Sequence, residues 1–258
     1  MRLLVPLDGS RRSEEILPWL GALAPAAIHV LHVAPGGAED GAPHDCAAYA
    51  RAAAARLPAK AGRAEAHAAA GDPADEILRH ARRLAADLIA MRTRCRRGLS
   101  RLVFGSVTAE VLRASRLPLL VTGPAARGGG SRRRMRRLLV PLDGSARSAR
   151  ILAPAASLAS FLGARVELLH AFRDRADPRP FEDRAAELRG HGLEASVRLV
   201  QGDPAGRILE RASDGGADLV AMATHGRTGV SRLLVGSVSE AVVAAAKVPV
   251  LLLRSAAK

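Results

Sequence analysis

Short apolar runs alternate with longer mixed stretches along the chain. In the second half, strands are predicted at 137–142, 166–171, 195–200, 219–223 and 249–253, and helices at 181–191, from 203–204 onward and at 237–246. Near-continuous apolar strands separated by helices are typical of a parallel sheet that is covered on both faces and has right-handed crossovers. The pattern therefore predicts an α/β fold of the doubly wound, open-sheet class.

The chain contains an internal repeat. Residues 3–10 and 138–145 share one sequence, Leu-Leu-Val-Pro-Leu-Asp-Gly-Ser. Further on, Gly-Asp-Pro-Ala at 71–74 returns at 202–205, and residues 100–107 resemble residues 231–238. The order of these segments is the same in both halves, which predicts two tandem copies of one fold.

A glycine- and arginine-rich stretch, Gly-Gly-Gly-Ser-Arg-Arg-Arg, separates the copies and cannot bury a face. We expect an N-terminal domain at 1–127, a linker at 128–135 and a C-terminal domain at 136–258. Each domain is predicted to have a five-stranded parallel sheet. The apolar final strands, 118–122 and 249–253, are expected to be neighbours, so that the chain packs as an intrachain pseudo-dimer. The sequence leaves a further homo-oligomer open.

The first candidate ligand loop is the turn after the first strand of the second copy. In open parallel sheets, ligands bind beyond the carboxyl ends of the strands. Asp143 lies at such an end, where its carboxylate could accept from a ribose hydroxyl or a base amino group. The alternative is that the Asp-Gly-Ser turn, with Ser145 as a cap, only starts the next helix.

The second candidate loop begins at Met222 and ends at Gly236-Ser237, where a helix is predicted to start. Backbone N–H groups at a helix N-terminus, left open by glycines, form an anion site, and the hydroxyls of Ser237 and Ser239 could add donors. The loop is neither a P-loop nor a dinucleotide motif, because it lacks both spacings. A loop that needs glycine for its backbone alone remains the alternative.

Together these features resemble the universal stress protein family: the Asp turn, the Gly-Asp-Pro-Ala helix start and the Gly-x9-Gly-Ser loop occur in order. The family motif is Gly-x2-Gly-x9-Gly-Ser/Thr, and Gly226 and Gly236-Ser237 match it, whereas Ala223 replaces the first glycine with one extra methyl group. The resemblance implies a Rossmann-like, adenine nucleotide alpha hydrolase-like fold and an ATP-binding regulatory or stress-response protein, with or without Mg²⁺. The implied site residues are Pro141, Leu142, Asp143, Ala171, Met222, Ala223, His225, Gly226, Gly236, Ser237, Val238 and Ser239.

The first copy departs from this motif. Arg92 and Cys95 stand at the first two glycine positions, and only Gly105-Ser106 is kept. Side chains there would fill the space in which a phosphate meets the backbone, so one ATP per chain is predicted, in the second copy. The arginines at 92–97 could instead bind an anion, or could form a solvated charged face.

Composition adds a rival hypothesis. The net charge is +14, the pI is about 11.4, and arginine supplies most of the positive charge. A polyanion could be bound through arginines at 92–97 and 132–137. Aromatic residues make up only 2% of the chain, with Trp19 and Tyr49 as single examples, which leaves no stacking platform for single-stranded nucleic acid. Nucleic acid is therefore not the expected partner, and no motif identifies a protein partner.

The histidines do not form a recognisable catalytic or metal-binding pattern. His225 has no recognisable nucleophile with an orienting carboxylate, so no catalytic residue is expected and His225 is interpreted as pocket lining. A slow ATPase using Asp143 and a divalent metal is the enzyme alternative. His29 and His32 are three apart on one strand, so they face opposite sides and cannot share a metal, and no metal site is expected.

The apolar runs are much shorter than the roughly 20 residues of a membrane span. The first residues lead directly into a strand rather than a signal-peptide pattern, so a cytoplasmic protein is expected. Cys46 and Cys95 match neither a zinc pair nor a CxxC pair and are interpreted as reduced thiols.

Overall fold

The computed structural model describes residues 1–34, 42–58, 61–94, 96–98, 101–126, 134–225 and 236–255. Strands of the N-terminal half are β1 (Arg2–Leu7), β2 (Ala27–Ala34), β3 (Arg63–Ala70), β4 (Leu88–Arg92), β5 (Arg96–Gly98), β6 (Arg101–Val103) and β7 (Leu119–Thr122). Its helices are α1 (Leu17–Leu20), α2 (Ala42–Ala55), α3 (Pro73–Arg83) and α4 (Ser106–Ala114), with a 3-10 helix at Ser13–Ile16.

The C-terminal half repeats the order of the strands that form the main sheet. Its strands are β8 (Arg137–Pro141), β9 (Arg165–Phe172), β10 (Ala195–Gln201), β11 (Leu219–His225) and β12 (Val250–Ser255). Its helices are α5 (Leu152–Leu162), α6 (Arg179–Gly190), α7 (Pro204–Arg211) and α8 (Ser237–Ala245), with a 3-10 helix at Ser148–Ile151 and a π-helical turn at Ala212–Gly216. Asp203 caps α7 by accepting from the N–H of Gly206, and Pro204 follows at the first helical position, as predicted.

Ten strands form one sheet in the order β10-β9-β8-β11-β12-β7-β4-β1-β2-β3. Within each half the five strands are parallel, and the first strand is flanked by the second and the fourth, so the doubly wound class is confirmed. The order reverses beside β1 and β8, where such folds form their ligand crevice. The two five-stranded sheets are thus halves of one larger sheet rather than separate layers.

The halves are joined through their final strands. β7 and β12 pair antiparallel, with Leu120 opposite Leu251, so the prediction that these two strands are neighbours is confirmed. The contact continues beside them, because a Cβ on Gly123 would lie 1.7 Å from the carbonyl oxygen of Val243 in α8. Arg254 donates to the carbonyl of Arg113 on the other side of the junction. Glycine at 123 therefore allows the two backbones to approach closely.

Successive side chains of each strand point to opposite faces of the sheet, and each face carries one apolar core. In β1, Leu3 and Val5 belong to one core, whereas Leu4 belongs to the other. Both cores contain residues from both halves, since Leu120 and Leu251 share the first and Val121 and Val250 share the second.

Some features differ from the sequence-based expectation. An antiparallel pair, β5 and β6, interrupts the predicted strand–helix alternation, and Ser145 acts on a 3-10 turn rather than directly on an α-helix. Most of the predicted linker lies outside the described residues, so the domain boundaries stay a prediction. Among the described residues, no helix has the length and apolar character that a membrane crossing requires.

Candidate functional site

The turn after β8 holds the Asp143 carboxylate at the carboxyl end of the strand. Asp143 Oδ1 accepts from the backbone N–H of Ser145 at 2.9 Å and from its hydroxyl at 2.6 Å. In return, the Asp143 N–H donates to Ser148 Oγ at 3.3 Å. Gly144 has φ +84°, a value that favours glycine. The carboxylate is exposed to solvent but fixed in position by its own turn.

A histidine on the neighbouring strand secures this turn. His170 Nδ1 lies 2.9 Å from the carbonyl oxygen of Leu142, and since a carbonyl only accepts, Nδ1 carries the hydrogen. The imidazole ring stacks on Phe181 of α6 with centroids 4.3 Å apart. His170 therefore packs against α6 and anchors the turn.

The other predicted residues on strands lie at the same edge of the sheet. β8 pairs with both β9 and β11, so Pro141, Ala171 and Met222 lie at or near the carboxyl ends of three adjacent parallel strands. Met222 and Ala223 are buried. His225 is the last residue of β11, whereas Gly226 lies outside the described residues, so its predicted role is untested.

The start of α8 presents backbone donors that lie outside the hydrogen-bond ladder of the helix. Gly236 is the N-cap residue in an extended conformation, and no side chain caps the helix there. The Glu240 N–H donates to Gly236 O at 3.0 Å, while the N–H groups of the first turn precede any intrahelical acceptor. Ser237 is exposed, Val238 is half-buried and Ser239 is buried. This end of the helix carries the positive end of its dipole.

The N-terminal half has the same turn but a different neighbour. Asp8 accepts from Ser10 and is also contacted by Arg94, whose Nη2 lies 2.6 Å from Oδ2. Burial raises the pKa of Asp8, but hydrogen bonds from Ser10 and Ser13 and the charge of Arg94 outweigh it, so the pKa lies below its ordinary value. Asp8 is thus an ionised carboxylate already paired with a cation of its own chain.

Arg92, the last residue of β4, has a buried side chain at the carboxyl end of the strand. Its side chain is only 5% exposed, and Nη1 donates to Gly123 O at 2.7 Å and to Ala126 O at 3.4 Å. Its Nη2 lies 2.7 Å from Glu15 Oε2. The idea that the whole loop is a solvated face is wrong at this position, because burial and three partners hold the guanidinium inward.

Some of the arginines that could bind an anion or polyanion are paired within the chain, and others are exposed to solvent. Arg92 and Arg94 are paired within the chain, and Arg137 is half-buried beside Asp218, with Nη2 3.4 Å from Oδ1. Arg134 and Arg136 are exposed. The side chains of residues 96–97 and residues 132–133 lie outside the described part, so an anion role for them stays a prediction.

Sequence reasoning identified Ser145 in the Asp143 turn but missed Ser148 and His170 as its supports. Ser148 and His170 hold the turn from two sides, and Ser145 supplies both a backbone and a hydroxyl donor. A signal was available in the repeat, because a serine lies five residues after the aspartate in both copies. A histidine also lies at the matching place in both second strands, and His32 Nδ1 contacts Leu7 O at 2.9 Å.

The chain is similar to known proteins over nearly its whole length. The model of the universal stress protein family matches residues 1–123 and 135–254. A universal stress protein of Thermus aquaticus is 35% identical over 133 residues, which cover 45% of this chain and 97% of that protein. YxiE, a universal stress protein of Bacillus subtilis, is 28% identical over 145 residues, or 46% of this chain and 98% of that protein. A solved universal stress protein of Archaeoglobus fulgidus covers 99% of this chain and 98% of its own, with a TM-score of 0.79 and 24% identity, which supports the shared fold.

Proposed function

This chain belongs to the universal stress protein family, and from that premise we propose that it is an ATP-binding regulatory protein of the stress response with one nucleotide site, in its C-terminal half. Presence of the nucleotide would be sensed through conformation or partner binding rather than through fast catalysis. The proposed site residues are Pro141, Leu142, Asp143, Ala171, Met222, Ala223, His225, Gly226, Gly236, Ser237, Val238 and Ser239.

The observation that supports this most directly is that Arg92 of the N-terminal half corresponds to Ala223 in the C-terminal half. These two residues occupy equivalent positions at the carboxyl ends of β4 and β11. In the N-terminal half a buried guanidinium lies there, and in the C-terminal half only a methyl group. The buried guanidinium of the N-terminal half therefore has no counterpart at this position of the C-terminal half.

The start of α8 suits the phosphates. Its first-turn N–H groups have no intrahelical acceptor, and the N-cap residue, Gly236, has no side chain that could accept from them. An anion at this place would accept from these N–H groups and would interact favourably with the helix dipole. The exposed hydroxyl of Ser237 adds a donor within the same turn.

The Asp143 turn suits the nucleoside. Its exposed carboxylate can accept from ribose hydroxyls, because hydrogen bonds inside the turn already fix its position. Buried apolar side chains at Leu142 and Met222, together with Ala223, offer nonpolar surface for a base at the strand ends. When ATP is bound, these residues would position it and partly exclude water from it.

Native mass spectrometry of the freshly purified chain, followed by calorimetric titration with ATP after nucleotide removal, tests the proposal. We expect one adenine nucleotide per chain and binding that persists at high salt. Binding of DNA with steep salt dependence, and no binding of ATP, would favour the polyanion function instead. Release of phosphate that requires Mg²⁺ and follows ATP binding would identify the slow ATPase alternative.

A further inference from the structure

Three possible metal ligands lie together on one face of the N-terminal sheet, away from the Asp8 turn. His29 is in β2, and Glu65 is directly opposite it in β3, the edge strand. His67 lies two residues beyond Glu65, so its side chain is on the same face. The sequence comparison of His29 with His32 missed this group because the partners come from the neighbouring strand.

The ligand atoms have the spacing that a small ion requires. His29 Nδ1 lies 3.1 Å from His67 Nε2 and 3.3 Å from Glu65 Oε2, and His67 Nε2 lies 4.0 Å from the same oxygen. Three atoms at these separations share a centre about 2 Å from each, which is the length of a zinc–nitrogen or zinc–oxygen bond. Two imidazoles and a carboxylate are also a ligand set that zinc accepts.

From this geometry we propose that His29, Glu65 and His67 bind one Zn²⁺ ion between β2 and β3. The site is sheltered but accessible, since the side chains of His29, His67 and Glu65 are 8%, 17% and 34% exposed. A water molecule would take the remaining coordination position from the Glu65 side. The ion would take the place of the hydrogen that now joins the two imidazole nitrogens, and that hydrogen would move to the other nitrogen of its own ring.

Charged groups near the cluster include some that oppose a bound cation and some that favour it. The charges of Arg63 and Arg83 oppose a cation, and Arg63 Nε lies 3.1 Å from Glu65 Oε1. Glu76 lies behind the cluster, where it pairs with Arg79 and accepts through its backbone carbonyl from His80 Nδ1 at 2.9 Å. Burial lowers the pKa of His67 below its ordinary value, and the charges of His29, Arg83 and His80 lower it further, whereas the charge of Glu65 raises it.

The C-terminal half provides an internal comparison. At the positions of His29, His67 and His80 it has Glu167, Arg198 and Arg211. Glu167 Oε1 accepts from Arg198 Nε at 2.8 Å, and its Oε2 accepts from Arg211 at 2.7 Å. That carboxylate is satisfied by two fixed cations, which leaves no role for a metal.

The N-terminal half has imidazoles at these three positions and a carboxylate, Glu65, where the C-terminal half has Ser196. In the C-terminal half, the ion pair between Arg198 and Glu167 thus connects β10 to β9. In the other half, a metal ion would connect β3 to β2. Because β3 is an edge strand with one neighbour, this connection would stabilise the least supported strand of the N-terminal half.

The test uses the full chain after treatment with a chelator. Calorimetric titration with ZnCl₂ should give a site that is weakened at least about 10-fold in His67→Gln and in Glu65→Gln. His191→Gln is the control, because His191 is exposed and far from the cluster in sequence and fold. Co²⁺ titration followed by visible absorption should give a d–d spectrum that the two variants lose and the control keeps.

A triple variant, His29→Glu with His67→Arg and His80→Arg, copies the ion-pair pattern of the C-terminal half. It should fold, as judged by circular dichroism, and should lose the zinc-dependent increase in melting temperature that the parent shows. Failure of the parent to bind zinc would overturn the proposal. Equal zinc affinity in the parent, His67→Gln and Glu65→Gln would overturn it as well.

Discussion

Arg94 Nη2 lies 2.6 Å from Oδ2 of Asp8, so the carboxylate at the N-terminal ligand crevice is already paired within the chain. In the C-terminal half, the residue at the Arg94 position is His225 and the carboxylate is Asp143. The two copies therefore differ in the residue type at this position. The Asp8–Arg94 pair must separate before a ribose could reach Asp8, which disfavours a nucleotide in the N-terminal half.

Replacement of Gly236 should remove nucleotide binding without unfolding the chain. Gly236→Val places a branched side chain at the N-cap of α8, where the phosphates would meet two or three backbone donors. Loss of charge-assisted hydrogen bonds worth about 1.5–3 kcal/mol each predicts an affinity at least about 100-fold weaker. Calorimetry with ATP measures the change.

Gly105→Val is the matched control, because Gly105 is the N-cap of α4 in the N-terminal half. A Cβ there would be 3.7 Å from Arg94 Cβ, an ordinary contact, so the variant should fold and bind one ATP as the parent does. If Gly105→Val abolishes binding and Gly236→Val does not, the two halves have been assigned the wrong way round.

Arg92 and Arg94 should differ in their contribution to stability. Arg92→Ala removes a buried guanidinium and leaves the carbonyls of Gly123 and Ala126 without this donor, so the free energy of unfolding should fall by about 3 kcal/mol. Arg94→Ala breaks a pair in which both side chains are 49% exposed and should cost less than about 1 kcal/mol. Urea denaturation compares the two, and equal losses would contradict the burial of Arg92.

A single methyl group at position 123 should disturb the junction of the halves. Gly123→Ala forces Cβ against the carbonyl of Val243, and because backbone cannot rotate away, a loss of about 3 kcal/mol is expected. At Gly190, in the last turn of α6, a Cβ meets nothing within 4 Å, so Gly190→Ala should be neutral or stabilising by up to about 1 kcal/mol. Thermal unfolding of both variants provides the comparison, and an unchanged melting temperature for Gly123→Ala would contradict the close approach.

Acid should remove the contribution of Glu167 to the free energy of unfolding. Burial raises the pKa of Glu167, but the hydrogen bonds and charges of Arg211 and Arg198 lower it more, to below its ordinary value of 4.5. A carboxylate with a depressed folded-state pKa stabilises the fold fully above its ordinary pKa and loses that contribution as the pH falls through the lower value. The stability difference between the parent and Glu167→Gln should therefore be largest near neutral pH and shrink below pH 4.5, as urea unfolding at several pH values can measure. A difference that grows on acidification would have the wrong sign.

The fold could be predicted from the sequence because the patterns that indicate its strands and helices occur twice, once in each copy. Each strand boundary predicted in the second copy lies within a few residues of the observed one, and the apolar character of 118–122 and 249–253 indicated their pairing. The β5–β6 pair was not predicted, since three-residue strands around Gly98 have no periodicity to detect.

The candidate site was predicted by residue type but not by its internal contacts. Asp143 could be identified from its place after a strand, whereas the inward orientation of Arg92 depends on Glu15, Gly123 and Ala126, which are distant in sequence. The His29 cluster was missed for the same reason, because its members meet only when β2 and β3 pair.

The antiparallel pairing of β7 with β12 also constrains how the protein is made. β7 is followed by about 130 further residues before the segment that covers its open side is synthesised. Until then, Leu119–Thr122 would present unpaired N–H and C=O groups on an apolar strand, which is the kind of surface that recruits another chain. Slow translation through the second copy, or truncation before Val250, should therefore favour aggregation of nascent chains, even though the N-terminal half already has all the strands of its own sheet.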